Sequence, residues 1–190
     1  MSWYTFSVAS QSLTPNAVMP SLFTALFIGR FQPFHNGHLL VIQGMTKVCG
    51  RIVIGISSSQ ESGTAESPFT AAERRDMIQR ALQAKDLIPT HDIIFIEIPD
   101  MHGDDVGWAK KALELCHGPV HQIWSGNDSV KKSFDGLGVE IKNIREVPGI
   151  SATEVRKRIK EGGDWKKLVP DEVAATIESI EGVQRIKSIG

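Results

Sequence analysis

The chain reads as an α/β fold, a doubly wound parallel sheet of five strands with helices on both faces. Three observations predict it. Short apolar runs alternate with segments of helical periodicity along most of the length. The first run, Phe23 to Ile28, is nearly unbroken in apolar residues, which is how a strand buried on both faces reads. A tight turn holding Gly29 and Gly37 follows at once and opens a helix.

The elements follow in order. After the strand over 23–28, apolar residues recur at Leu39, Ile42, Met45 and Val48 or Cys49, so a helix is predicted over 37–49. A second strand is predicted over 51–57. Ser57 to Ser67 is rich in Ser, Gly and Glu and reads as a mobile loop. Thr70-x-x-Glu73 has the form of a capping box and starts a helix over 70–86. Strands over 92–98, 120–125 and 138–142 then alternate with helices over 105–117, 127–134 and 151–161. Ser151-x-x-Glu154 is a second capping box. Pro170, with Asp171 and Glu172 behind it, starts a last helix to Ser179, a short C-terminal helical extension. No repeat or long linker divides the pattern, so residues 19–190 are expected to form one domain. Residues 1–18 are expected to be a flexible N-terminal extension, with Met19 as an alternative start.

Length and charge bound the function. A chain of 190 residues suffices for one α/β domain with a sizeable core. Its 21 Lys and Arg against 22 Asp and Glu leave a net charge of -1, which gives no electrostatic case for nucleic acid or membrane as the main partner. Residues 1–29 carry no charge, so the basic start of a secretory signal is missing. Ala17 to Ile28 is too short, and too interrupted by Pro20, Ser21 and Thr24, to span a bilayer. Cys49 and Cys116 sit in apolar helical contexts and are expected to be buried free thiols in a reducing, cytoplasmic compartment.

The chemistry concentrates in Gly29-Arg30-Phe31-Gln32-Pro33-Phe34-His35-Asn36-Gly37-His38. A helix beginning there has first-turn N–H groups without partners and a partial positive charge, which suits an anion. His35 and His38 can donate to phosphate oxygens and can carry charge near neutral pH, and Arg30 adds a full charge. Zinc is the competing reading of His-x-x-His, but no His-Glu-x-x-His and no nearby cysteine pair supports it. Around Ser151, capping accounts for Ser151 and Glu154 but not for Thr153 or Arg156, which together make a second anion site. Two anion sites on one sheet suggest a ligand with a chain of phosphates, bound beyond the carboxyl ends of the strands where the strand order reverses.

The ten-residue turn resembles the first signature of the nucleotidylyltransferase superfamily, in the wording of the archaeal-type nicotinamide-nucleotide adenylyltransferases. Three further stretches agree and stand in family order. Ser67-Pro68-Phe69-Thr70-Ala71-Ala72-Glu73-Arg74 resembles Pro-Phe-Thr-x-x-Glu-Arg, Ser125-Gly126-Asn127 resembles the Gly-Asn segment after the fourth strand, and Ile150 to Arg156 resembles Ile-Ser-x-Thr-x-x-Arg. The resemblance implies a Rossmann-like sheet of order 3-2-1-4-5 and transfer of AMP from ATP to nicotinamide mononucleotide (NMN), giving NAD and pyrophosphate. It implies an ATP site of Gly29, Arg30, Phe31, His35, Gly37, His38, Gly126, Asn127, Ile150, Ser151, Thr153 and Arg156. His38, His35, Arg30 and Arg156 would be the catalytic group. It further implies Mg2+ held mainly by the ATP phosphates, with no dedicated carboxylate cluster evident, and a homo-oligomer.

The acceptor side is read from Asp100, Trp108 and Arg74. By resemblance Trp108 stacks on the cationic nicotinamide ring; as a residue it could equally be core. Arg74 either reaches substrate phosphate or is a solvated helix arginine. Members of the family often carry an asparagine between the Pro-Asp and the Trp; here Met101 to Gly107 has none, which leaves the choice between amide and acid mononucleotide open. Trp3, Trp124 and Trp165 read as packing residues. The alternatives are another superfamily transferase acting on phosphopantetheine, a flavin nucleotide or a sugar-alcohol phosphate, and a nucleotide-binding sensor without turnover. Gly-Arg-Phe-Gln-Pro argues against the first, and intact His35, His38 and Arg156 against the second. A fragment resembling a tRNA synthetase would need a longer chain and a lysine-rich second signature.

Overall fold

The computed structural model describes residues 23–189. The expectations for residues 1–18, for Met19 and for Trp3 lie outside the described residues. The elements run β1 Thr24–Gly29, α1 Asn36–Met45, β2 Arg51–Ser57, α2 Ala71–Gln83, α3 Leu87–Thr90, β3 Asp92–Ile98 and α4 Asp105–Leu115, then β4 Gln122–Ser125, α5 Asp128–Ser133, β5 Glu140–Asn143 and α6 Ala152–Glu161. A 3-10 turn at Lys166–Leu168 leads to α7 Asp171–Ser179 and α8 Gly182–Ser188. The sheet order is β3-β2-β1-β4-β5, every neighbouring pair parallel, as the resemblance implied.

The period-2 geometry of a strand explains the continuous apolar run of β1. Ala25 and Phe27 belong to a core with Ile52, Ile54 and Ile56 of β2, packed against α1, α2, α6 and α7. Leu26 and Ile28 belong to the opposite core with Val53, Ile96 and Ile98, packed under Trp108, Ala109 and Ala112 of α4. Both faces are therefore covered, and both have to be apolar. The cysteines are buried in different cores, Cys49 in the first and Cys116 in the second. Burial raises both thiols, Cys116 to about 11, so they are inert.

Several boundaries differ from the sequence reading. The helix expected over 70–86 ends at Gln83, and Asp86 turns left-handed (φ 54°) into the short α3, which was not expected. The C-terminal extension holds a second helix: Glu181 (φ 56°) reverses the chain after α7, and α8 follows. Gly182 makes that reversal possible, since a Cβ there would lie 2.8 Å from the Phe69 ring and 2.9 Å from the carbonyl of Ile177. The Thr70–Glu73 capping box is complete, whereas the one at Ser151 is half made. Ser151 Oγ accepts from Glu154 N–H, but the Glu154 carboxylate turns to Arg158 at 2.7 Å.

Candidate active site

The strand order reverses between β1 and β4, so the chain diverges there and leaves a crevice. β1 ends at Gly29. Phe31 follows in a left-handed conformation (φ 50°), and its ring folds back so closely that a Cβ on Gly29 would lie 2.9 Å from it. The Phe31 ring is buried against Phe27 and His38, with centroids 5.4 and 4.9 Å away. Its side chain is thus the floor of the turn rather than a cavity wall, which leaves its backbone as the part that can face a ligand. Gln32, also buried, pins the turn to the segment before α2. Its side chain donates to Phe69 O at 2.8 Å and accepts from Phe69 N–H at 3.0 Å.

The two histidines cap one another. His35 is the N-cap of α1, and its Nδ1 accepts from His38 N–H at 3.3 Å; His38 Nδ1 accepts in return from His35 N–H at 3.3 Å. This is a capping box with imidazoles in place of the usual hydroxyl and carboxylate. The rings are stacked, centroids 3.5 Å apart and planes 19° apart. Burial lowers His35 to about 4 and His38 well below its ordinary 6.5, the latter also through His35. The expectation of charge near neutral pH is thereby corrected. A ring nitrogen that accepts carries no proton, so each neutral ring holds its proton on Nε2 and offers it as a donor. Desolvation, invisible in the spacing of the motif, decides this.

Around this turn Gly29, Arg30, His35, Gly37, His38, Gly126, Asn127, Ile150 and Ser151 line one cavity of about 430 Å³. Its far wall is the segment after β5, where Arg145, Glu146 and Val147 face the cavity. Sequence reasoning missed these three; their one available signal was adjacency to Ile150. Asn127 is committed to capping α5, its Oδ1 accepting from Ser129 N–H (2.8 Å) and Val130 N–H (3.3 Å). Thr153 is exposed, and neither it nor Arg156 is on the cavity wall. Arg156 instead donates to Gln32 O at 2.7 Å, behind the turn. Its guanidinium is lowered first by burial and then by Arg30, so the two cations stand near each other. Among the described residues neither Arg30 nor Arg156 forms an ion pair. Two guanidiniums outside any ion pair, with Glu66 acting on Arg156 from farther off, make an anion site beside a helix N-terminus.

A second cavity of about 300 Å³ adjoins the first and shares Arg30, Ser57 and Asn127 with it. Asp100, His102, Asp105 and Trp108 line it. Trp108 is both wall and core: it is 8% exposed, meets the Phe134 ring edge-on at 6.0 Å, and its buried indole N–H has no partner. Trp165 is buried, and Trp124 is partly buried with its N–H on Gln122 at 3.1 Å, as packing residues should be. Arg74 is at neither cavity. It is fully buried and donates to the carbonyls of Arg30 and Ser57 (2.8 Å each), Ser58 (3.0 Å) and Thr70 (3.2 Å). Both readings of Arg74, substrate contact and solvated arginine, are corrected by this. Among the described residues no group of three or more His, Cys, Asp or Glu could hold a metal ion.

Comparison with known proteins gives the same picture. The Cytidylyltransferase-like family matches residues 26–158. The nicotinamide-nucleotide adenylyltransferase of Methanococcus aeolicus is 38% identical over 171 residues, covering 87% of this chain and 94% of that one. Its counterpart from Thermococcus kodakarensis is 36% identical over 166 residues, covering 86% and 87%. Among solved structures, a bifunctional NMN adenylyltransferase/ADP ribose pyrophosphatase from Francisella tularensis, complexed with AMP and a Mn ion, has a similar fold. It superposes with a TM-score of 0.73 at 20% identity over 88% of this chain, which spans 52% of that longer one.

Proposed function

The chain belongs to the Cytidylyltransferase-like family, alongside the nicotinamide-nucleotide adenylyltransferases, and on that footing we propose that it transfers AMP from ATP to NMN. An oxygen of the NMN 5′-phosphate attacks the α-phosphorus of ATP. A P–O bond forms there, the bond from that phosphorus to the αβ-bridging oxygen breaks, and pyrophosphate leaves with the electron pair. The nucleophile is already an anion, so no general base is needed. The work is to hold two anions in line and to stabilise charge on the transferring and leaving groups.

One observation carries this reading: two neutral imidazoles, locked by each other's backbone N–H, beside two unpaired guanidiniums at the reversal of strand order. Neutral Nε2–H donors suit the α-phosphate, because they stabilise charge without a proton leaving. His38 takes that contact and His35 and Arg30 hold the triphosphate. Ser151 grips the β and γ phosphates from the cavity wall, and Thr153 and the remaining donors of Arg156, which do not line that wall, meet them where they extend past it, with Gly126 and Asn127 beside the adenosine. The second cavity takes NMN, with Trp108 against the nicotinamide ring and Asp100 at its rim. Mg2+ is assigned to the ATP phosphates, in keeping with its habit of retaining waters and binding through substrate phosphates.

We take residues 19–190 as the catalytic domain, acting as a homo-oligomer in the cytoplasm. The inert, buried thiols fit a reducing compartment, and no helix among the described residues is long and apolar enough to cross a membrane. The test is turnover of MgATP with NMN, nicotinate mononucleotide, phosphopantetheine and FMN in parallel. NMN should give dinucleotide and pyrophosphate in equal amounts. Product from phosphopantetheine or FMN alone would move the chain elsewhere in the family, and ATP binding without any product would favour a sensor.

A further inference from the structure

We propose that Arg74 is a positioning residue for this adenylyl transfer, whose guanidinium fastens the carboxyl end of β1 to that of β2 and so fixes the donor cavity relative to the acceptor cavity. The inference rests on the activity assigned above. The β1–β2 ladder stops at the pair Gly29–Ile56. One residue later on each strand, the carbonyls of Arg30 and Ser57 both accept from the same atom, Arg74 Nη1, at 2.8 Å. Nη2 takes Ser58 O at 3.0 Å, and Nε anchors the group to its own helix start at Thr70 O, 3.2 Å.

The fastened residues are those between which the reaction occurs. Arg30 and Ser57 line both cavities, and Ser58 lines the acceptor cavity. Both strands leave the sheet beside the clamp through left-handed residues, Phe31 (φ 50°) and Ser58 (φ 49°). No strand pairing holds the departure of β1, whereas β2 still pairs with β3 at Ser57–Ile98 and Ser59 N–H donates to Ile98 O at 3.2 Å, so the clamp ties the free exit of β1 to a β2 end that β3 already holds. A planar fork with five donors is suited to this task, and an ammonium is not.

Arg74 is also placed with care. Its helix is opened by the complete Thr70–Glu73 box, and Arg185 of α8 holds Glu73 at 2.8 Å and Pro68 O at 3.2 Å. Among the described residues Arg74 forms no ion pair. Burial presses its affinity for the proton down, Glu97, Asp100 and Glu61 oppose this and Arg30 adds to it, and the guanidinium stays charged at working pH.

The experiment compares Arg74→Lys and Arg74→Gln with Leu82→Ala, a buried residue of the same helix away from both cavities. Rates are measured well below each melting temperature, per ATP-binding molecule. The account expects kcat to fall on the order of tenfold or more in both Arg74 variants. KM for ATP and for NMN should stay within about threefold, and Leu82→Ala should keep its kcat despite its lower stability. Wild-type kcat in Arg74→Lys would overturn the proposal, as would a loss falling on one KM alone. Insolubility of both Arg74 variants with soluble Leu82→Ala would also overturn it, since the bonds would then hold the fold itself. Absence of dinucleotide from the wild type would defeat the assigned activity instead.

Discussion

His35 and His38 each accept the other's backbone N–H through Nδ1, at 3.3 Å in both directions, with their rings stacked 3.5 Å apart. The arrangement turns a helix start into a pair of fixed donors. It also disfavours charge on either ring, because a second proton would go on a nitrogen already accepting a bond and would face a stacked neighbour.

Stability should therefore depend on pH in a specific window. His35 is at about 4 in the fold against an ordinary 6.5, so the unfolded chain binds the proton more tightly. The contribution is complete above pH 6.5 and is lost as pH falls towards 4. From pH 6.5 to 5 this one ring costs about 1–2 kcal/mol. Asparagine is a good N-cap and does not titrate. Urea melts should show that His35→Asn loses less stability than wild type over that interval; equal slopes would mean that His35 is not buried neutral.

Gly37→Ala should separate stability from catalysis. A Cβ at Gly37 would lie 3.1 Å from His35 Cε1 and Nδ1, so the ring has to yield by a few tenths of an ångström. Alanine favours the helix by up to about 1 kcal/mol, which offsets the crowding. The melting temperature should hardly move while kcat falls about tenfold or more, since the mutual cap is displaced. Unchanged kcat would show that the ring tolerates the shift.

Trp108 divides its roles between two substitutions. Trp108→Ala should lower stability by about 3–5 kcal/mol and raise KM for NMN far more than KM for ATP. Trp108→Phe keeps an aromatic face and removes a buried N–H that has no partner, so stability should hold or rise by about 1 kcal/mol. Equal effects of Trp108→Ala on both KM values would leave it a packing residue.

What the sequence disclosed follows from what is local. The β1 run and the His-rich turn are contiguous, and their pattern carries strand, turn, helix and chemistry at once. The order of the strands is not local; it was reached through the four family-like stretches, because alternation alone does not say which strands are neighbours. Arg74 stood out through its family-like stretch, but its buried role could not be read. At its position in α2 it looks solvated, and its burial depends on carbonyls from residues 30, 57 and 58. The charge state of the histidines was misjudged for a related reason, since His38 is enclosed by Phe34, stacked on it, and Phe31, edge-on to it. The helix α8 escaped because it is seven residues long, with apolar side chains only at Val183 and Ile186 along a mostly polar face.

The most direct test of the account is the turnover of His38→Ala beside its affinity for ATP. The account assigns His38 Nε2–H to charge that develops on the transferring phosphate. It predicts a fall in kcat of about a hundredfold or more, with ATP binding within a few-fold of wild type. A near-normal kcat, or a loss confined to ATP binding, would contradict the transition-state role of the paired imidazoles.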